Sequence, residues 1–102
     1  MKVNRDPNSS PGDVIKQYLI DGLNLSVAQL ARAIDVPTNR LYLIIQNKRE
    51  ISIDTAIRLG YFLNMDPLFW LNIQNEYAIA EYKKKNPTIE DSIMALKKPS
   101  SK

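Results

Sequence analysis

An all-α fold of five helices, with a short sixth after them, is predicted by three observations. Apolar residues recur at three- and four-residue spacing in five successive segments. Residues that cap helix starts, with proline at the first helical position, stand before several of them. No apolar/polar alternation runs longer than four residues, so no strand is expected.

Residues 1–9, rich in Asn, Arg, Asp, Pro and Ser, hold too little apolar surface to offset the entropy of ordering and read as a flexible N-terminal arm. Order is expected from Ser10, a cap followed by Pro11 and, three residues after the cap, Asp13; Val14, Ile15, Tyr18 and Leu19 then give one helical face ending near Asp21-Gly22. A second helix opens with the capping-box pair Ser26 and Gln29, carries Ala28, Leu30, Ala31 and Ile34, and is stopped by Pro37. A third starts at about Thr38, turns Leu41, Ile44 and Ile45 inward, and ends near Asn47, which tolerates left-handed backbone. The fourth runs from Ser52 or Asp54 to Leu63 with Ala56, Ile57, Leu59, Phe62 and Leu63 apolar. The fifth is capped by Asp66, opened by Pro67 and runs to about Tyr82. Residues 10–82 thus form one domain, and 83–102 a basic tail in which Thr88, Asp91, Ile89, Ile93 and Leu96 allow a short helix that would be marginal alone.

Composition removes several function classes. With neither cysteine nor histidine, the chain has no disulfide, no thiolate or imidazole metal ligand and no imidazole base, and no nucleophile-base pairing is visible, so no enzyme, metal site or cofactor is expected. No apolar run approaches the roughly 20 residues that span a bilayer, and the N-terminus lacks a secretory apolar core. A cytoplasmic protein without a membrane partner is expected. Charge is unevenly spread: residues 1–49 carry seven Lys or Arg against four acids, residues 50–82 one against five, and the last twenty six against two. The basic balance is therefore partly a tail effect, weak evidence of nucleic-acid binding by itself.

The second and third helices carry more information. A helical pair with a tight turn is common, but with Val27 as first position, Ala31 falls at the fifth, where only a small side chain lets the helices approach. Ile34, Val36, Leu41 and Ile44 fall where a helix-turn-helix must be apolar to hold its crossing. "SPGDVI", "LSVAQLARAIDVPTNRLYLIIQNKREIS" and "DTAIRLGYFLNMDPLFWLNIQNEY" together resemble, over residues 10–77, the helix-turn-helix family of phage-type repressors and more closely its HigA-type, virulence-associated protein I-like antitoxins. Three departures stand out. Asp35 replaces the turn glycine, Asn47 the loop glycine after the third helix, and Ser10 the histidine frequent before Pro-Gly. Asp and Asn are the residues that best replace Gly at positive φ, so both loops should survive.

The resemblance implies a five-helix, phage-repressor-like fold with the third helix in the major groove of a double-stranded DNA operator. The side of that helix not used by the core is Thr38, Asn39, Tyr42, Leu43 and Gln46. Asn and Gln can pair with adenine N6 and N7, Thr can donate or accept, and Leu43 or the Tyr42 ring can meet a thymine methyl, which suits A·T-containing half-sites. Arg40, Lys48 and Arg49 lie beside or beyond the helix, where cationic side chains reach phosphates without reading sequence.

In the fifth helix Leu68, Phe69, Trp70, Leu71, Ile73 and Tyr77 cover more circumference than one amphipathic stripe needs. Any one of them taken singly reads as core; the set reads as a homodimer interface, and a two-fold dimer would read a pseudo-palindrome with half-sites roughly 34–36 Å apart. The resemblance also implies a small basic toxin that cleaves messenger RNA. Glu50, Asp54, Glu76 and Glu81, in the acidic half, would complement its charge, although a solvated acidic face explains them as well. The leading expectation is a DNA-binding antitoxin that represses its own operon and neutralises that toxin. The alternatives are a stand-alone repressor and a protein-interaction adaptor without nucleic-acid binding.

Overall fold

In the computed structural model, which describes residues 9–94, the chain folds as five helices and a final 3-10 turn, with no strand among the described residues. The first helix, α1 (Pro11–Val14), starts on Ser10, whose hydroxyl accepts from Asp13 N–H at 3.1 Å, and continues as a π-helical stretch over Ile15–Asp21. Through this wider winding Ile15 and Leu19 keep facing the core while Lys16 and Gln17 face solvent. The stretch closes with Gly22 N–H on Gln17 C=O at 3.0 Å, and the chain then turns through left-handed Asn24.

Helix α2 (Val27–Ile34) carries the complete capping box: Ser26 Oγ accepts from Gln29 N–H at 3.0 Å, and Gln29 Oε1 from Ser26 N–H at 2.8 Å. It ends on Asp35 at φ 58°, and α3 (Thr38–Ile45) follows Pro37. Helix α4 (Ile53–Leu63) is capped by Ser52, whose hydroxyl accepts from Thr55 N–H at 3.1 Å, and ends on left-handed Asn64. Asp66 Oδ1 accepts from Leu68 N–H at 2.9 Å and so caps α5 (Leu68–Lys85). That helix runs three residues past Tyr82, with Lys83, Lys84 and Lys85 in its last turn, where cations complement the C-terminal dipole.

The core gathers one stripe from each helix: Val14, Ile15 and Leu19 from the first, Leu30, Ala31 and Ile34 from α2, Leu41 and Ile44 from α3, Ala56 and Leu59 from α4, Trp70 and Ile73 from α5. Burying each of the larger side chains stabilises the fold by roughly 1.5–3 kcal/mol before ordering entropy is counted. Two expectations change here. Ile57 and Phe62 of α4 are exposed, because Thr55, Ala56, Leu59 and Gly60 alone fill the buried stripe. The expected sixth helix is a single 3-10 turn, Ile89–Ser92, without a side-chain cap at Thr88. Residues 1–8 of the expected arm, and Leu96 with the end of the tail, lie outside the described residues.

Candidate nucleic-acid interface

Helices α2 and α3 pack together, and Ala31, with Leu30 and Ile34, is among the buried residues that α2 contributes to the core they share with Leu41 and Ile44. Between the two helices Asp35 takes the left-handed conformation usually given to glycine, and Val36 N–H bonds to Ala31 C=O at 3.0 Å. Leu41 and Ile44 then anchor α3. Since both anchors lie on one side of an eight-residue helix, the other side is left to solvent.

That outer side carries Asn39, Tyr42 and Gln46, all exposed, with Thr38, Arg40 and Leu43 half-buried at its margins. Pro37 gives α3 no side-chain cap, so its first-turn N–H groups retain capacity for an outside acceptor. Directly after the helix the chain turns through Asn47 at φ 60° and presents Lys48, Arg49 and Glu50 to solvent. Two amides, two hydroxyl-bearing side chains and two cations are thus exposed or half-buried along α3 and the loop directly after it.

The loop is tied down at both ends. Asn47 Oδ1 accepts from Gly12 N–H at 3.2 Å, and its Nδ2 donates to Ser10 Oγ at 2.9 Å. At the other end Gln74 of α5 accepts from Ile51 N–H and donates to Ile51 C=O at 2.9 Å. Lys48 N–H also bonds to Leu43 C=O at 2.8 Å, so only Arg49 and Glu50 lie between the anchored positions.

Arg40 is arranged differently from Lys48 and Arg49. Its Nη1 lies 3.8 Å from Asp54 Oδ2, and its Nε is buried with no hydrogen-bond partner among the described residues. Asp54 also accepts from Arg58 Nε at 3.0 Å, and Arg58 Nη1 donates to Ile34 C=O at 3.2 Å while lying 3.8 Å from Asp35. Arg58 thus ties α4 to the turn between α2 and α3. Its i,i+4 relation to Asp54 was readable from the chain; its reach to Ile34 was not.

Of the six residues expected to face a second copy, Trp70 and Ile73 instead lie fully inside this chain's own core and present no surface. One helix stripe must serve the core first, and these two occupy it. Leu68 is exposed, and Phe69, Leu71 and Tyr77 are half-buried, with the Phe69 ring edge-on to Trp70 at 5.1 Å. Beyond Tyr77 the helix leaves the core, and Ile79 and Tyr82 are both more than half exposed. Of the acidic set, Asp54 is committed to the arginines and Glu81 pairs with Lys84 at 3.4 Å.

Residues 15–70 match the family described as helix-turn-helix. The chain is similar to an addiction module antidote protein of a HigA family from Coxiella burnetii: the identity is 36%, the TM-score 0.81, and the match covers 87% of this chain and 98% of that one. It is also similar to the Pseudomonas aeruginosa antitoxin HigA solved with the higBA promoter, at 34% identity, TM-score 0.80 and the coverage 87% and 98%. Among curated proteins, virulence-associated protein I of Dichelobacter nodosus is 34% identical over 72% of this chain and 68% of its own length. Among the described residues no helix is long and apolar enough to cross a membrane.

Proposed function

This chain belongs to the helix-turn-helix family, and from that premise we propose that it represses its own operon as a DNA-binding antitoxin, binding a pseudo-palindromic operator as a homodimer. The observation that carries this reading is the solvent-facing side of α3, with Asn39, Tyr42 and Gln46 exposed, followed directly by the exposed cations Lys48 and Arg49. Asn39 and Gln46 read adenine edges; Thr38, Tyr42 and Leu43 add hydroxyl and apolar contacts in the major groove. Lys48 and Arg49 hold phosphates and set register, and Arg40 joins them where Asp54 releases it. Such a module binds; it carries out no chemistry, and operator DNA places its work in the cytoplasm.

The dimer contact falls to the surface that α5 keeps after serving the core: Leu68, Phe69, Leu71 and Tyr77, continued by Ile79 and Tyr82. Two promoter-bound or antidote-type relatives support extending the reading to a small basic, messenger-RNA-cleaving toxin as second partner. Glu50 and Glu76, both exposed, would give charge complementarity with it. The internal pairing of Asp54 and Glu81 favours the second reading, a stand-alone repressor, because those carboxylates already have partners.

Fluorescence anisotropy with the duplex upstream of the chain's own reading frame tests the first claim; binding no tighter than to scrambled duplex rejects it. Co-expression with the adjacent small basic protein separates the two readings. A stable complex that restores growth supports the antitoxin, and growth arrest without a complex leaves the repressor alone.

A further inference from the structure

The loop that carries Lys48 and Arg49 is gripped by a residue of α5, a helix expected to serve dimerisation. Gln74 meets both backbone groups of Ile51, accepting from its N–H and donating to its C=O at 2.9 Å. Ile51 is itself buried, so this amide pair replaces water for both groups and fixes the end of the loop. Gln74 follows Ile73 and stands one turn after Trp70, both fully inside the core. Its backbone is therefore among the better-anchored parts of the molecule. Gln74, Tyr77 and Ala78 of α5 face Asn47, Lys48, Arg49 and Glu50 across a groove of about 290 Å³.

We propose that Gln74 is a positioning residue for DNA binding: by fixing Ile51, the far end of the loop, it sets where the Arg49 cation and, with the Leu43 bond to its backbone, the Lys48 cation stand. The inference rests on the DNA-binding reading and adds to it a determinant that touches no DNA. Its physical sense lies in register. On a two-fold site the phosphates are placed relative to the dimer axis, and a loop fastened to the dimerising helix keeps its cations aligned with that axis even where α3 shifts slightly in the groove.

Gln74→Met keeps length and bulk while removing both hydrogen bonds. The full chain and this variant are compared on a scrambled duplex, where phosphate contacts dominate, across a series of salt concentrations. The variant should bind about three- to tenfold more weakly near 100 mM salt, and its log affinity against log salt should flatten by about one contact's worth. In a Lys48→Ala/Arg49→Ala background the same change should alter affinity by less than about twofold, because the cations it positions are gone. An unchanged salt slope, or a full additional loss in that background, would overturn the proposal, since a general loss of stability adds to both. Should Gln74→Met not fold, amide exchange of the unaltered chain decides: Ile51 N–H should exchange as slowly as the α4 amides, and exchange at the unprotected rate overturns the clamp. Failure of the unaltered chain to bind any duplex is a different result, which removes the DNA-binding reading and this inference with it.

Discussion

Asn47 and Ser10, 37 residues apart, are joined by a hydrogen bond of 2.9 Å from Asn47 Nδ2 to Ser10 Oγ. The same Asn47 accepts from Gly12 N–H, while Ser10 caps the helix that Gly12 lies in. Both residues are departures from the pattern that the chain otherwise resembles, and the structure shows them meeting. A serine in place of the histidine and an asparagine in place of the glycine build one contact between the start of α1 and the end of α3.

Asn47→Ala should therefore be more destabilising than Asn47→Gly. Alanine loses both hydrogen bonds, each worth roughly 0.5–1.5 kcal/mol, and must also hold a left-handed backbone at a further cost of about 1–2 kcal/mol. Glycine loses the same bonds and adds denatured-state freedom worth roughly 0.4–1 kcal/mol, but is spared the left-handed penalty. Urea unfolding of the two variants should therefore separate them by up to about 1 kcal/mol in favour of glycine, and a more stable alanine variant would show that the conformation at φ 60° carries little strain.

Lys48→Ala and Arg49→Ala should weaken binding to all duplexes alike and flatten the salt dependence. Asn39→Ala and Gln46→Ala should instead cost roughly 1–3 kcal/mol on the correct operator and leave scrambled duplex nearly unaffected. Anisotropy titrations on both duplexes check this. The groove assignment fails if the cation variants alter base preference while the amide variants do not.

Asp54→Asn should change stability by less than about 1 kcal/mol, because its pairs with Arg40 and Arg58 are more than a third exposed on one or both sides. Freed from its carboxylate neighbour, Arg40 can turn to a phosphate, so duplex affinity should rise and its salt dependence steepen by about one contact. An unchanged slope would leave Arg40 a structural residue of the α3–α4 contact.

Ile79→Asp should leave the fold intact, since this side chain is 55% exposed, yet shift sedimentation from twice the chain mass to one chain mass at micromolar concentration. Operator affinity should fall with it, because two linked half-sites become two single ones. A variant that still sediments as a dimer moves the interface to another face of the molecule.

The parts of the fold written in local chemistry were legible from the chain alone. Ser26 with Gln29, Ser10, Ser52 and Asp66 all cap as their types and spacing require, and Asp35 and Asn47 take the left-handed conformation expected of replacements for glycine. What depended on distance in space was not legible. Helix α5 shows more apolar residues than one stripe needs, yet nothing in that surplus says that Trp70 and Ile73 are the ones the core takes. The pairing of Arg40 with Asp54 crosses between two helices, and the grip of Gln74 on Ile51 joins a side chain to backbone 23 residues away, a relation without a local sequence signature.

The division of labour among special backbone positions bears on the unfolded chain. Asn24, Asp35, Asn47 and Asn64 supply the left-handed turns, and none of the three glycines does. Gly12 and Gly60 serve close approach instead: a Cβ at Gly12 would stand 2.6 Å from Ile44 O, and one at Gly60 2.7 Å from Met65 O. A glycine gives the denatured ensemble more backbone freedom to surrender on folding, by roughly 0.4–1 kcal/mol relative to a residue with a side chain. By turning its corners on asparagine and aspartate, the chain accepts a small local cost in the native state and starts from a denatured state with fewer conformations. At Asn24 and Asn64 these two effects oppose each other at similar size, so glycine there should be nearly neutral, whereas a β-branched residue would meet the steric cost with no compensating side-chain bond to the backbone.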